Sequence, residues 1–81
     1  MAIQLSKPVR EQLLAVLDRI TGWQTRTAAQ LKGKYSRDYV RMVALGQRSN
    51  EEILEALLDM AEKHREKERR AAERIKELSR P

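Results

Sequence analysis

The sequence predicts an all-α protein, a compact helix-turn-helix bundle of about four helices followed by a long extended C-terminal helix. Two observations support this fold class. Apolar residues recur at intervals of three and four positions along most of the chain, which is the period of an amphipathic helix. Glycines and capping residues interrupt that pattern, and Gly22, Gly33 and Gly46 divide residues 1–50 into short segments.

Length and composition restrict the classes of protein to consider. The 81 residues suffice for one small domain, which we assign to residues 1–61, with residues 62–81 extending the last helix. The sequence has no cysteine and a single histidine, so we expect no disulfide and no metal. It has no glycine-rich phosphate loop, nucleophile elbow or carboxylate pair in an apolar setting, so we expect that the protein is not an enzyme and binds no cofactor. A short polar start and the absence of a long apolar run predict a cytoplasmic, nucleoid-associated protein without membrane contact.

The sign of the charge changes sharply along the chain. Residues 21–50 hold six basic residues and one acidic residue, a net charge of +5. Residues 51–61 hold four acidic residues and no basic one, a net charge of −4. The excess of positive charge therefore lies on the segment that contains the predicted second and third helices, where phosphates of a nucleic acid would be bound.

The first helix is predicted to begin after Ser6 and to end at Thr21 and Gly22, because glycine suits the left-handed residue that closes a helix. Trp23 is predicted to belong to the core and not to stack on a base. The inward-facing residues of this helix are Val9, Leu13, Val16, Leu17 and Ile20.

A second helix of about two turns is predicted to be capped by Thr25, with Ala28, Ala29 and Leu31 facing inwards. Gly33 marks the turn that follows. Ser36 can cap a third helix over residues 36–45, since its hydroxyl can accept from the exposed amides of the first turn.

The third helix is predicted to have two contrasting faces. Its inner face consists of Val40, Val43 and Ala44. The opposite side and its flanks carry Arg37, Asp38, Tyr39, Arg41, Met42 and Leu45. Arginine can bind both acceptors of guanine, aspartate can accept from cytosine, and methionine or leucine can contact a thymine methyl group. The alternatives are that the arginines only solubilise the helix, and that Asp38 serves the helix dipole or orients Arg41.

Gly46 is predicted to close the third helix, and Ser49 with Glu52 to form a capping box for the fourth. The inner face of this fourth helix consists of Ile53, Leu54, Leu57, Leu58 and Ala61. No residue breaks the pattern before Ser79, and about 30 helical residues span roughly 45 Å, too long for so small a body. The last apolar residues, predicted to meet a second copy, are Ala71, Ala72, Ile75 and Leu78. A solvated helix held by pairs such as Glu66 with Arg70 is the alternative.

The order of these features resembles that of the lambda-repressor-like (Cro/repressor) helix-turn-helix family. The resemblance covers residues 9–61 and depends on the pattern Ala28-x-x-Leu31, Tyr35-Ser36, Val40-x-x-Val43-x-x-Gly46 and Gln47-Arg48-Ser49-Asn50. In that family the second helix of the pair lies in the major groove of DNA. The resemblance implies that bases are read by Arg37, Asp38, Arg41 and Met42. It implies contacts to the DNA backbone by Gln24 and Thr25 at the start of the second helix and by Gln47, Arg48 and Asn50 in the loop after the third. In the turn and the first residues of the third helix, Lys34, Ser36 and Tyr39 are predicted to contact the backbone as well. The turn is longer than in the usual form, and the long helix replaces the usual fifth one.

The sequence therefore predicts a sequence-specific regulator of the bacterial or phage type that binds double-stranded DNA. In its simplest form it is a repressor that occupies a palindromic operator as a homodimer. The alternative is an adaptor or antitoxin-like protein whose charged C-terminal helix binds a partner protein. Binding to unpaired RNA ranks lower, because the chain offers few aromatic residues for stacking.

Overall fold

The computed structural model describes residues 5–79. Within that range the protein is all-α, with four helices and no strand, which confirms the predicted fold class. The helices are α1 (Lys7–Leu17), α2 (Trp23–Gln30), α3 (Arg37–Ala44) and α4 (Glu51–Leu78). The principal extents of 51 × 27 × 20 Å reflect the length of α4. In this part of the chain no helix combines the length and the apolar composition that a membrane span requires.

A single apolar core joins all four helices. Its fully buried members include Leu17 of α1, Val40 of α3, and Ile53 and Leu57 of α4, and Trp23 is buried beside them as predicted. The predicted inner faces of α3 and α4 are confirmed, with Leu58 half-buried at the edge. Because α4 contacts each of the other three helices, its first half is the element on which they assemble.

The predicted end of α1 is wrong, since the helix stops at Leu17. The amides of Arg19 and Ile20 bond to carbonyls three residues earlier, at 3.1 and 2.8 Å, so the chain tightens into turns there. These turns bring Ile20 into the core. Val9 is also predicted wrongly, because it lies at the rim of the groove between α1 and α4 and is 44% exposed.

The start of α2 also differs from the prediction. Gly22 does have a left-handed backbone, with φ of 68°, but it is the N-cap of α2. Because α2 begins at Trp23, Thr25 lies inside the helix and does not cap it. Thr27 is fully buried in place of Ala29, which is exposed, because the inner side of the helix follows the i, i+4 spacing from Trp23. The Thr27 hydroxyl donates to the Trp23 carbonyl at 2.8 Å, which satisfies the buried polar group.

The turn between α2 and α3 is built by two successive left-handed residues, Lys32 and Gly33, with φ of 58° and 74°. Their amides bond to carbonyls at the end of α2 at 3.0 and 3.1 Å, in the pattern of a Schellman motif. Ser36 then caps α3 as predicted, since its hydroxyl oxygen accepts from the Tyr39 amide at 3.1 Å.

The predicted capping box at the start of α4 is wrong. Asn50 caps the helix instead of Ser49, and its side-chain oxygen accepts from the Ile53 amide at 3.1 Å. Glu52 does not reach back to the cap because its carboxylate accepts from the Tyr35 hydroxyl at 2.9 Å and pairs with Lys34 of the α2–α3 turn.

The second half of α4 extends beyond the other three helices, and only its first residues lie close to α1 and the turn that follows it. Nη1 of Arg19 lies 3.3 Å from a carboxylate oxygen of Glu68, and Arg65 lines the shallow grooves beside α1. The part of α4 beyond this contact, residues 69–78, is called the overhang here. Its apolar residues are all exposed, Ile75 by 63% and Leu78 by 85%. The helix ends at Leu78 with Ser79 as its C-cap, at the predicted position.

Candidate nucleic-acid interface

The side of α3 that faces away from the core is called its outer face, and it consists of Arg37, Asp38, Arg41, Met42 and Leu45. All five residues are exposed, including the two large apolar ones at 39% and 40%. The sequence predicted this orientation, and the structure places the four predicted base-reading residues together on that one surface.

A groove of about 620 Å³ runs between the outer face of α3 and the start of α2. It brings Gln24 and Thr25 beside Arg37, Asp38 and Arg41. Two predicted phosphate-contact residues therefore adjoin three predicted base-reading residues, although they are separated in the sequence by the whole of the turn. Asp18 also lines this groove, so its charged side chains are two arginines and two aspartates.

The arginines of the outer face are weakly paired. Among residues 5–79 Arg41 pairs with no carboxylate, and the Nε atom of Arg37 is 4.0 Å from Asp38 Oδ1, the outer limit of an ion pair. Asp38 is 84% exposed and makes no pair with Arg41, so the predicted alternative of an orienting pair is not observed. Exposed pairs of this kind contribute little, and both guanidinium groups are available to a ligand.

The other predicted backbone-contact residues divide into two groups. Gln47 and Arg48 are exposed in the loop after α3. The second group already has partners within the protein, since Ser36 and Asn50 cap helices and Lys34 pairs with Glu52 at 3.3 Å. Tyr39 is half-buried and stacks on Tyr35, with ring centroids 5.6 Å apart.

Glu52 fixes the α2–α3 turn against the start of α4. Its carboxylate accepts from the Tyr35 hydroxyl and from the Lys34 ammonium group, and these two bonds hold the pKa of Glu52 below its ordinary value. Because Tyr35 also stacks on Tyr39 of α3, the same cluster supports the first turn of the helix. The sequence offered no sign of this cluster, since it joins residues that are far apart along the chain.

Arg10 is a second feature that sequence reasoning missed. Its guanidinium group covers Gly46 at the end of α3, so closely that a Cβ atom at Gly46 would lie 2.5 Å from Nη1. The Nε atom of Arg10 is buried without a hydrogen-bond partner, and in the described range the side chain pairs with no carboxylate. Gly46 has a left-handed backbone with φ of 84°, which favours glycine by itself, so the residue type gives no separate sign of the contact with Arg10.

The chain matches no protein-family model, no curated protein and no solved structure. Between residues 5 and 79, no three histidine, aspartate or glutamate side chains are grouped so that they could hold a metal ion. The candidate interface is therefore supported by its own geometry and charge, and the family resemblance stays a prediction.

Proposed function

We propose that this protein is a sequence-specific, double-stranded DNA-binding regulator of the bacterial or phage repressor type, with α3 as its recognition helix. The observation that carries the proposal is the outer face of α3, where Arg37 and Arg41 are exposed and have no carboxylate within 4.0 Å apart from Asp38. Exposed arginines whose guanidinium groups are unpaired or only weakly paired suit both the phosphates and the guanine edges of duplex DNA.

The dimensions of α3 support the same proposal. A helix with its side chains is about 10 to 12 Å in diameter, and the major groove of B-DNA, about 12 Å wide, admits an exposed helix such as α3. With α3 in the groove, Arg37, Asp38, Arg41 and Met42 meet base edges. Gln24 and Thr25, across the 620 Å³ groove, then adjoin the sugar-phosphate backbone.

The test begins with a random-sequence duplex library, from which bound molecules are selected and sequenced. Fluorescence anisotropy then compares the selected duplex with a scrambled duplex of equal length and composition at about 150 mM salt. Specific binding by such proteins typically exceeds non-specific binding by 10³-fold or more, and we expect a gap of that size. Weak, equal and steeply salt-dependent binding to both duplexes would contradict the proposal.

The proposal extends to a homodimer formed through the overhang. One recognition helix contacts too few base pairs for useful specificity, whereas two related by a twofold axis read half-sites about 34 Å apart. Ile75 and Leu78 are exposed and, with Ala71 and Ala72, form an apolar strip along the overhang. A helix with such a strip can pair with a second copy of itself.

Light scattering at tens of micromolar protein tests the dimer. We expect twice the chain mass of 9.4 kDa for the wild type and a single chain mass for the Ile75→Ala, Leu78→Ala double variant. The matched control is Arg74→Ala with Glu77→Ala, which shortens two neighbouring exposed side chains without changing the net charge, and which should stay dimeric. A monomeric wild type would remove the dimer from the proposal.

The same exposed apolar strip favours one alternative, an adaptor or antitoxin-like protein whose overhang binds a partner protein. Truncation after Glu68 separates the two functions, because it removes the overhang and retains the contact between Glu68 and Arg19. If the overhang serves dimerisation, the truncated protein loses affinity for the palindromic site and keeps weak binding to a half-site. If it serves a partner protein, affinity for the selected duplex is unchanged.

A further inference from the structure

A second, smaller cavity lies beside the end of α3 and the loop that follows it. Its volume is about 210 Å³, and no acidic residue lines it. The polar lining consists of Arg10, Arg48, Ser49 and Asn50, and the apolar lining of Leu5, Val43 and Leu54. Two guanidinium groups thus share one concave surface.

Neither guanidinium group is neutralised within the described part of the chain. Arg10 is half-buried, and its Nε atom is shielded from solvent without a hydrogen-bond partner. Placing a cation in such a position is unfavourable unless an opposite charge compensates it. Since the cavity holds no carboxylate, its walls are complementary to an anion from outside the protein.

The donors in the cavity identify the class of anion. Arginine presents a planar set of N–H groups that matches the oxygens of a phosphate, and two arginines can bind a single phosphate from two sides. Within residues 5–79 the Ser49 hydroxyl makes no hydrogen bond, and Asn50 uses its oxygen as the cap of α4, which leaves its side-chain NH₂ group to donate. Serine and asparagine side chains are also common phosphate ligands in DNA complexes.

We propose that Arg10 and Arg48, assisted by Ser49 and Asn50, jointly bind one phosphate group. The source of that phosphate is the DNA backbone, and this assignment rests on the proposed function. With α3 in the major groove, Gln24 and Thr25 contact the backbone across the groove that runs along the helix, and the Arg10–Arg48 cavity contacts it beyond the end at Gly46. The two contacts hold α3 at two separate points.

A double-mutant cycle on the selected duplex tests this site. For wild type, Arg10→Gln, Arg48→Gln and the double variant, the dissociation constant is measured from about 50 to 300 mM salt. Each neutralised phosphate contributes about one to the slope of log K against log salt concentration. Because one phosphate is shared, we expect the double variant to reduce the magnitude of this slope by about one in total. The exposed residue Lys67 of α4 supplies the charge-matched control, and Lys67→Gln should leave the slope unchanged.

Two results on the duplex would overturn the shared site. A loss of about two in the double variant would mean that the arginines bind separate phosphates, and an unchanged slope would mean that they bind none. Arg10 also packs on Gly46, so the thermal midpoint of every variant is measured and binding is compared below it. Arg48 lies in an exposed loop, and Arg48→Gln therefore keeps the test decisive if Arg10→Gln does not fold.

Inorganic phosphate distinguishes the source of the ligand and separates this inference from the proposed function. The thermal midpoint is compared in sodium phosphate and in sodium chloride of equal ionic strength. If wild type binds no duplex but is stabilised by phosphate, and the double variant is not, the site stands with a free phosphate as its ligand and the proposed function fails. If wild type binds the selected duplex and neither the slope nor the phosphate effect depends on the two arginines, only the inference fails.

Discussion

Two exposed surfaces of the protein each carry a pair of arginines, the outer face of α3 and the region of α4 where the overhang begins. In α4, Arg69 and Arg70 both bind the carboxylate of Glu66, at 2.7 and 3.2 Å. In α3, the closest contact between an arginine and a carboxylate is the 4.0 Å approach of Arg37 to Asp38. An arginine that already binds a carboxylate must give up that bond to bind DNA, so the number of arginines is a weaker indicator than their pairing.

The two surfaces also differ in their support. The inner side of α3 consists of core residues, Val40, Val43 and Ala44, none more than 3% exposed. Every residue of the overhang is exposed, and none of its apolar side chains belongs to the core of the described residues. A surface that reads bases must be held in a fixed position, whereas a surface that binds a second helix must be accessible. Only α3 meets the first requirement.

The largest expected effect is on stability, and it compares a core residue of α4 with a residue of the overhang. Leu57 of α4 is fully buried, and we expect Leu57→Ala to lower the free energy of unfolding by about 2 to 5 kcal/mol. Ile75→Ala in the overhang should change it by less than about 0.5 kcal/mol at concentrations where the protein is monomeric. Urea denaturation measures both. A comparable loss for Ile75→Ala in the monomer would show that the overhang packs on the body.

A smaller effect tests the pairing in α4 through its dependence on pH. The hydrogen bond from Arg69, followed by the positive charges of Arg69 and Arg70, holds the pKa of Glu66 below its ordinary value of 4.5. Because the folded form has the lower pKa, the pairs contribute fully above about pH 4.5 and are lost as the pH falls through the folded value. Helicity by circular dichroism should therefore decrease in acid.

The variant Glu66→Gln isolates this contribution, because Glu52 also has a lowered pKa and changes in the same range. We expect Glu66→Gln to have lower helicity at neutral pH and a smaller loss in acid than wild type. Glu62→Gln, at an exposed position of the same helix that makes no ion pair in the described structure, is the control and should follow the wild type. Identical acid profiles for Glu66→Gln and wild type would show that the pairs do not stabilise the helix.

The sequence was informative where structure depends on neighbouring residues. The two faces of α3 follow from the spacing of Val40, Val43 and Ala44, and Ser36 caps the helix from the adjacent position. Periodicity alone also located the first half of α4 in the core and its end at Leu78.

The errors occurred where distant residues decide the local structure. Glu52 leaves the expected capping box because Tyr35 and Lys34 offer it better partners, and Asn50 then serves as the cap. Thr27 is the local exception: its i, i+4 spacing from Trp23 places it on the inner side of α2, where its hydroxyl donates to the Trp23 carbonyl. The contact of Arg10 with Gly46, and hence the second cavity, depends on where the tertiary fold places α1 relative to the end of α3, which no local pattern encodes.

The most direct test of the central claim compares the two arginine surfaces on DNA. Arg41→Ala and Arg70→Ala each remove one arginine, and each variant is titrated with the selected and the scrambled duplex at about 150 mM salt. We predict that Arg41→Ala weakens binding to the selected duplex by about 1 to 3 kcal/mol, roughly 5- to 150-fold, with a much smaller loss on the scrambled one. Arg70→Ala should leave both affinities nearly unchanged, since its guanidinium group is engaged with Glu66. Equal losses on both duplexes for Arg41→Ala would contradict the assignment of α3 as the recognition helix.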